Sequence, residues 1–139
     1  MQGIKIKDLV SNSHVLAVDL RHVLDLLGER AMHSSWLASD VWATDKDAGE
    51  AAQELEKLAD GRTYIPGDHL CRVAHKLRQV IDGEFAAFNK GDDSPWIIIR
   101  AVDSSFYEVF SPETDVLRTV REAFQQVSDC EYVANQSAE

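Results

Sequence analysis

The chain has 139 residues, 45% hydrophobic and 27% charged, with seven glycines and three prolines. That length can bury a core without metal or disulfide staples, and that composition excludes a disordered or fibrous chain, so one globular domain over residues 1–134 is expected, with a flexible polar tail at 135–139. A net charge of −10 repels phosphate backbones and anionic headgroups, which argues against generic nucleic-acid or membrane-surface binding.

No run of about eighteen apolar residues occurs, so no membrane-spanning helix is expected. The first residues lack the apolar stretch and small-residue cleavage site of an export signal. The two cysteines, Cys71 and Cys130, have neither the spacing of a disulfide framework nor that of a paired metal site. Free thiols in a reducing cytoplasm are the expectation.

In chain order, the first periodic segment spans residues 15–27, where Leu16, Leu20, Val23, Leu24 and Leu27 recur at helical spacing before Gly28. Residues 36–42 then read as a strand bounded by Trp36 and Trp42. A helix over 47–60 follows, with Ala48, Ala51, Ala52, Leu55 and Leu58 on one face and Gly61 at its end. The next helix, 67–81, has the clearest stripe: Leu70, Val73, Ala74, Leu77, Val80 and Ile81.

Strands are expected at 84–89, 96–102, 106–110 and, more weakly, 130–133, with the turn-forming residues 90–94 joining the first two. Asp103-Ser104-Ser105 fits a three-residue hairpin loop. In that register Val102 faces Phe106, Arg100 faces Glu108 and Ile99 faces Val109, placing Ile97, Ile99, Ala101, Tyr107 and Val109 on one face. Ser111-Pro112-Glu113 then opens a last helix running to Val127, with Ser111 as its cap. The fold class is α+β: an antiparallel sheet of about four to five strands, three of them a meander, packed with about four helices in a single layered domain.

Candidate chemistry is dispersed. Cys71 and His75 stand four apart on one helix face, but two ligands do not make a metal site, and neither metal nor cofactor is expected. Beside its apolar neighbours, Cys71 fits a buried structural thiol. Asp19, His22 and Asp25 fall at steps of three on the first helix, either as a solvated ion-paired face or as carboxylates orienting an imidazole. In the hairpin loop, Asp103 is expected to hold backbone amides just beyond it, and Ser104 and Ser105 lack the elbow and the base that a serine nucleophile needs. The catalytic candidates are therefore His22, Cys71, His75 and Asp103.

The binding candidates are Trp36 and Trp42, as an aromatic groove or as core, and Arg72, Lys76 and Arg78, a basic island in residues 61–81 of net charge +3. Around it, residues 31–60 carry −5 and residues 103–139 carry −6. Missing catalytic motifs and an acidic surface point to a small cytoplasmic interaction or regulatory domain. Its partner is a basic protein or a second copy of itself, docked through the island. The alternative is a small enzyme or small-molecule-binding domain whose site assembles from the dispersed His, Cys and Asp residues.

Overall fold

The computed structural model describes residues 1–46 and 49–134. Its elements are β1 (Gln2–Ile6), α1 (Leu20–Leu27), α2 (Glu29–His33), β2 (Ser35–Asp45), α3 (Ala51–Asp60), β3 (Ile65–Pro66), α4 (Gly67–Lys76), β4 (Leu77–Phe88), β5 (Ile97–Val102), β6 (Phe106–Phe110), α5 (Thr114–Glu122) and β7 (Val127–Glu131). The fold is α+β, as expected, but the single sheet has seven strands rather than four or five, in the order β3-β2-β4-β5-β6-β1-β7, with every pair antiparallel. Residues 47 and 48 and the tail 135–139 lie outside the described residues.

The helices form one layer: α1 touches α2, α4 and α5, and α4 touches α2 and α3. Alternation along the strands turns Ile4, Ile6, Trp36, Phe85, Ile97, Ile99, Tyr107 and Val109 toward that layer, where each is fully buried against Leu20, Val23, Leu55, Leu70 and Val120. Among the described residues the opposite sheet face carries no helix.

The meander β4-β5-β6 forms as read, and the β5–β6 register pairs Val102 with Phe106, Arg100 with Glu108 and Ile99 with Val109. Its loop keeps three residues although none is glycine. Asp103 and Ser104 both adopt left-handed backbone, φ 49° and 58°, the geometry a tight hairpin needs and L-residues resist. Four hydrogen bonds hold it: Ser105 N–H to the Val102 carbonyl at 2.8 Å, Ser104 N–H to the Ile81 carbonyl at 3.0 Å, Asp103 N–H to Asp82 Oδ1 at 2.7 Å, and the Ser105 hydroxyl to the Asp103 carbonyl at 3.1 Å. The capping carboxylate is thus that of Asp82, not of Asp103.

Several boundaries differ from the periodicity: the first helix starts at Leu20 rather than at residue 15, and the last ends at Glu122, with Val127 opening β7. The fourth helix stops at Lys76, and residues 77–81 belong to β4. Leu77 and Val80 satisfy a helical stripe, yet they also fit a strand with two irregular steps, and pairing with β2 from Asp45↔Leu77 onward selects the strand. Arg78 therefore does not share a helix with Arg72 and Lys76, and the basic island is split. The last helix begins at Thr114 with Glu113, not Ser111, at its N-cap, since the buried Ser111 hydroxyl donates to the Trp96 carbonyl at 2.6 Å and accepts from Glu113 N–H at 3.0 Å.

β1, α2 and β3 were not legible as elements. Gly67 shows how tightly α2 meets α4, since a Cβ there would fall on the Ala31 carbonyl oxygen and lie 2.7 Å from the Met32 carbonyl carbon. Backbone cannot yield as a side-chain tip can. Gly67→Ala is expected to cost about 1–3 kcal/mol in urea denaturation, and an unchanged midpoint would show that the two helices separate freely.

Candidate functional site

The helix-free face is organised in cross-strand rows. One is apolar: Leu37, Ala86, Ile98, Phe110, Gly3 and Cys130 pair in succession from β2 to β7. The next alternates in charge, running Ser39, Glu84, Arg100, Glu108, Lys5 and Ser128 through the same pairs. Opposite charges on adjacent strands are mutually stabilising. At its centre Arg100, only 7% exposed, donates from Nε and Nη2 to Glu84 Oε1 at 3.0 and 2.6 Å and from Nη1 to Glu108 Oε1 at 3.4 Å. Burial alone would lower its pKa; the hydrogen bond and charge of Glu84, with Glu108, outweigh this and raise it.

After β7 the chain turns back over this row. Tyr132 sets its ring edge-on to Phe110 at 5.1 Å and under the Arg100 guanidinium at 4.8 Å, while its hydroxyl donates to the Glu84 carboxylate at 3.2 Å. Burial first, and then the Glu84 charge, raise the phenol pKa. Between this segment, the edge of β2 and the end of α3 lies a groove of about 580 Å³. Asp40, Asp60, Arg62, Glu84 and Tyr132 supply its polar lining, over a floor that includes Leu37 and Ala86. Asp40 has left-handed backbone, φ 53°, at a bulge where β2 carries an extra residue between Ser39 and Trp42. The bulge returns Trp42 to the helix-free face opposite Asp82, and the indole is 57% exposed.

The other two tryptophans are core. Trp36 is fully buried and donates from its ring nitrogen to the Ala31 carbonyl at 2.9 Å, so it lines no groove. Trp96 donates to the Ser34 hydroxyl at 2.9 Å, and the bidentate Arg30–Glu113 pair packs its guanidinium on that ring.

The catalytic candidates do not converge as a nucleophile–base set. His22 Nδ1 accepts from the Asp19 N–H at 2.8 Å, closing the start of α1, and burial followed by the Arg21 charge lowers its pKa. His75 Nε2 meets Asp25 Oδ1 at 2.9 Å across α1 and α4, a contact between exposed side chains that spacing alone did not connect. Cys71 is half-buried rather than buried. Its thiol pKa is raised by burial and by the charges of Asp25 and Asp68, the opposite of an activated nucleophile. Asp103 stays in the hairpin loop against Asp82. In the split basic island, Arg72 pairs with Asp68 at 3.1 Å, and Lys76 and Arg78 are exposed. Among the described residues no three His, Cys, Asp or Glu side chains gather as metal ligands, and no helix is long and apolar enough to cross a membrane.

Nothing in the local sequence around Asp40, Asp60, Glu84 and Tyr132 marks them as one site. The alternation through Glu84 and Ala86 was visible, but joining it to Arg100, Asp60 and Tyr132 needs three strand registers and the path of the chain after β7. No protein family, no curated protein and no solved structure matches this chain.

Proposed function

We propose that the protein is a recognition domain that binds a basic partner protein through the helix-free face of its sheet. The observation that carries this is the exposed Trp42 beside an acid-lined groove. An indole open to solvent, opposite Asp82 on that face and two residues from Asp40, which lines the groove together with Asp60, offers both halves of a cation site: a π surface and carboxylates. The net charge of −10 steers a basic partner toward it and makes the association salt-sensitive. Asp40 and Asp60 enter no ion pair among the described residues, so their charge is available to a partner.

Because Trp36 and Trp96 are buried, fluorescence quenching by acrylamide reports mainly on Trp42. A lysine-rich peptide at low salt is expected to shield Trp42 from acrylamide, whereas a glutamate-rich peptide leaves it accessible. Asp40→Asn with Asp60→Asn is expected to weaken the effect about tenfold, and Trp42→Ala to weaken calorimetric binding about fivefold. Equal responses to both peptides, or none to either, would rule out the recognition of a basic partner at this face.

A further inference from the structure

The groove also runs along an edge of the sheet. On the outer edge of β2, the Ser34 carbonyl accepts from Gly67 N–H at 2.9 Å, Ser35 pairs with Pro66 and Trp36 pairs with Ile65. Hydrogen-bonded positions alternate along an antiparallel edge, so the outward-pointing groups belong to residues 34 and 36. Pro66, which has no N–H, sits opposite Ser35 at the intervening position, consistent with that phase. The next outward residue is Ala38, but β3 begins only at Ile65, and among the described residues no strand continues along this edge. Farther on, the edge closes again: Ala43 N–H, shifted into phase by the bulge at Asp40, is taken by Glu56 Oε2 at 3.3 Å. The groove occupies the interval, and residues 37–40 line it.

From this we infer that the groove takes an extended basic segment of the partner as an added strand, hydrogen-bonded to the Ala38 backbone and met by Asp40 and Asp60. The inference rests on the recognition reading above and specifies how the partner lies. Strand addition supplies affinity through the main chain, and alternate side chains supply specificity. One side of an added strand would face the helix-free surface, where the groove presents Glu84, already held by Arg100, together with the free acids. Alternating cationic and small apolar residues suit that surface, because the groove floor includes Leu37 and Ala86.

The probe is a short, end-blocked peptide of alternating lysine and valine, titrated into the full chain and followed by the Ala38 amide resonance and by Trp42 fluorescence. Two further peptides carry N-methyl groups on alternate backbone nitrogens, one set for each edge of the peptide strand. The expected result is that the parent peptide shifts the Ala38 amide downfield and that one methylation pattern weakens binding about tenfold while the other does not. If the parent and both methylated peptides bind alike, the added strand is overturned and recognition through side-chain charge survives. If no peptide binds at low salt, both fail.

Discussion

Replacing Arg100 with methionine is expected to destabilise the fold by about 3–5 kcal/mol, the largest loss anticipated for a single side chain here. Methionine fills similar space, so packing is nearly preserved. What changes is that Glu84 and Glu108, whose side chains are only 18% and 14% exposed, lose the guanidinium that lies between them. Two carboxylates, one on β4 and one on β6, would then flank β5 from either side with little water to screen them. Urea denaturation measures the loss directly. Adding Glu84→Gln and Glu108→Gln to the same chain is expected to recover most of it, since the penalty lies in uncompensated charge rather than in a missing attraction. A loss below about 1 kcal/mol would show that water already reaches these carboxylates and that the row is a surface network.

The second large effect concerns Asp19, which is 5% exposed at the start of α1. Its Oδ1 accepts from Tyr107 Oη and from Val80 N–H, both at 3.0 Å, tying the helix to β6 and β4. Asp19→Ala leaves a buried hydroxyl and a buried amide unpartnered and is expected to cost about 2–4 kcal/mol. Asp19→Asn keeps the accepting oxygen and should retain the fold.

The two variants also separate structure from charge. Burial is the largest influence on the Asp19 carboxyl and raises its pKa above 3.8, against the lowering effects of Val80, Tyr107 and Arg21. The folded state therefore holds this proton more tightly than the unfolded chain. The resulting stability is fully present below the unfolded pKa and is lost as pH rises through the folded value. Above that folded value the wild-type protein has lost the contribution. Asparagine cannot ionise, so Asp19→Asn is expected to equal or exceed the wild type above the folded value and to lose that advantage as pH falls through it towards the unfolded value of about 4. Thermal unfolding across that range decides it, and an asparagine variant as unstable as the alanine variant would mean that the negative charge itself holds the network.

The candidate face depends on the Arg100 row. Tyr132 packs on Arg100 and also lines the groove, and Glu84 serves both. A conservative change that unsettles the row is therefore expected to alter binding at the groove as well as stability. The Asp19 network lies on the helix side and should leave binding unchanged.

By itself the sequence determined what local chemistry can specify. The β-branched and aromatic runs at residues 97–102 and 106–110, together with the Arg100–Glu108 charge match, favour a hairpin with one register, because a slip of one residue would turn Ile97, Ile99, Tyr107 and Val109 away from the helices. Periodic apolar residues in 51–60 and 70–76 likewise dictate helices, since only one face of each can be buried. Tertiary structure decided the rest. Gln2–Ile6 is too short and too mixed to read as a strand alone, and it becomes one because β6 and β7 pair with it on both sides. Residues 77–81 satisfy helix and strand periods alike, and β2 makes the choice. The candidate site could not be read from spacing, because Asp40, Asp60, Glu84 and Tyr132 are far apart in the chain and meet only through the sheet order and the turn after β7. Trp36 and Trp42 show the same division on one strand: both fit the same pattern, but a single extra residue at Asp40 sends one indole into the core and the other into solvent.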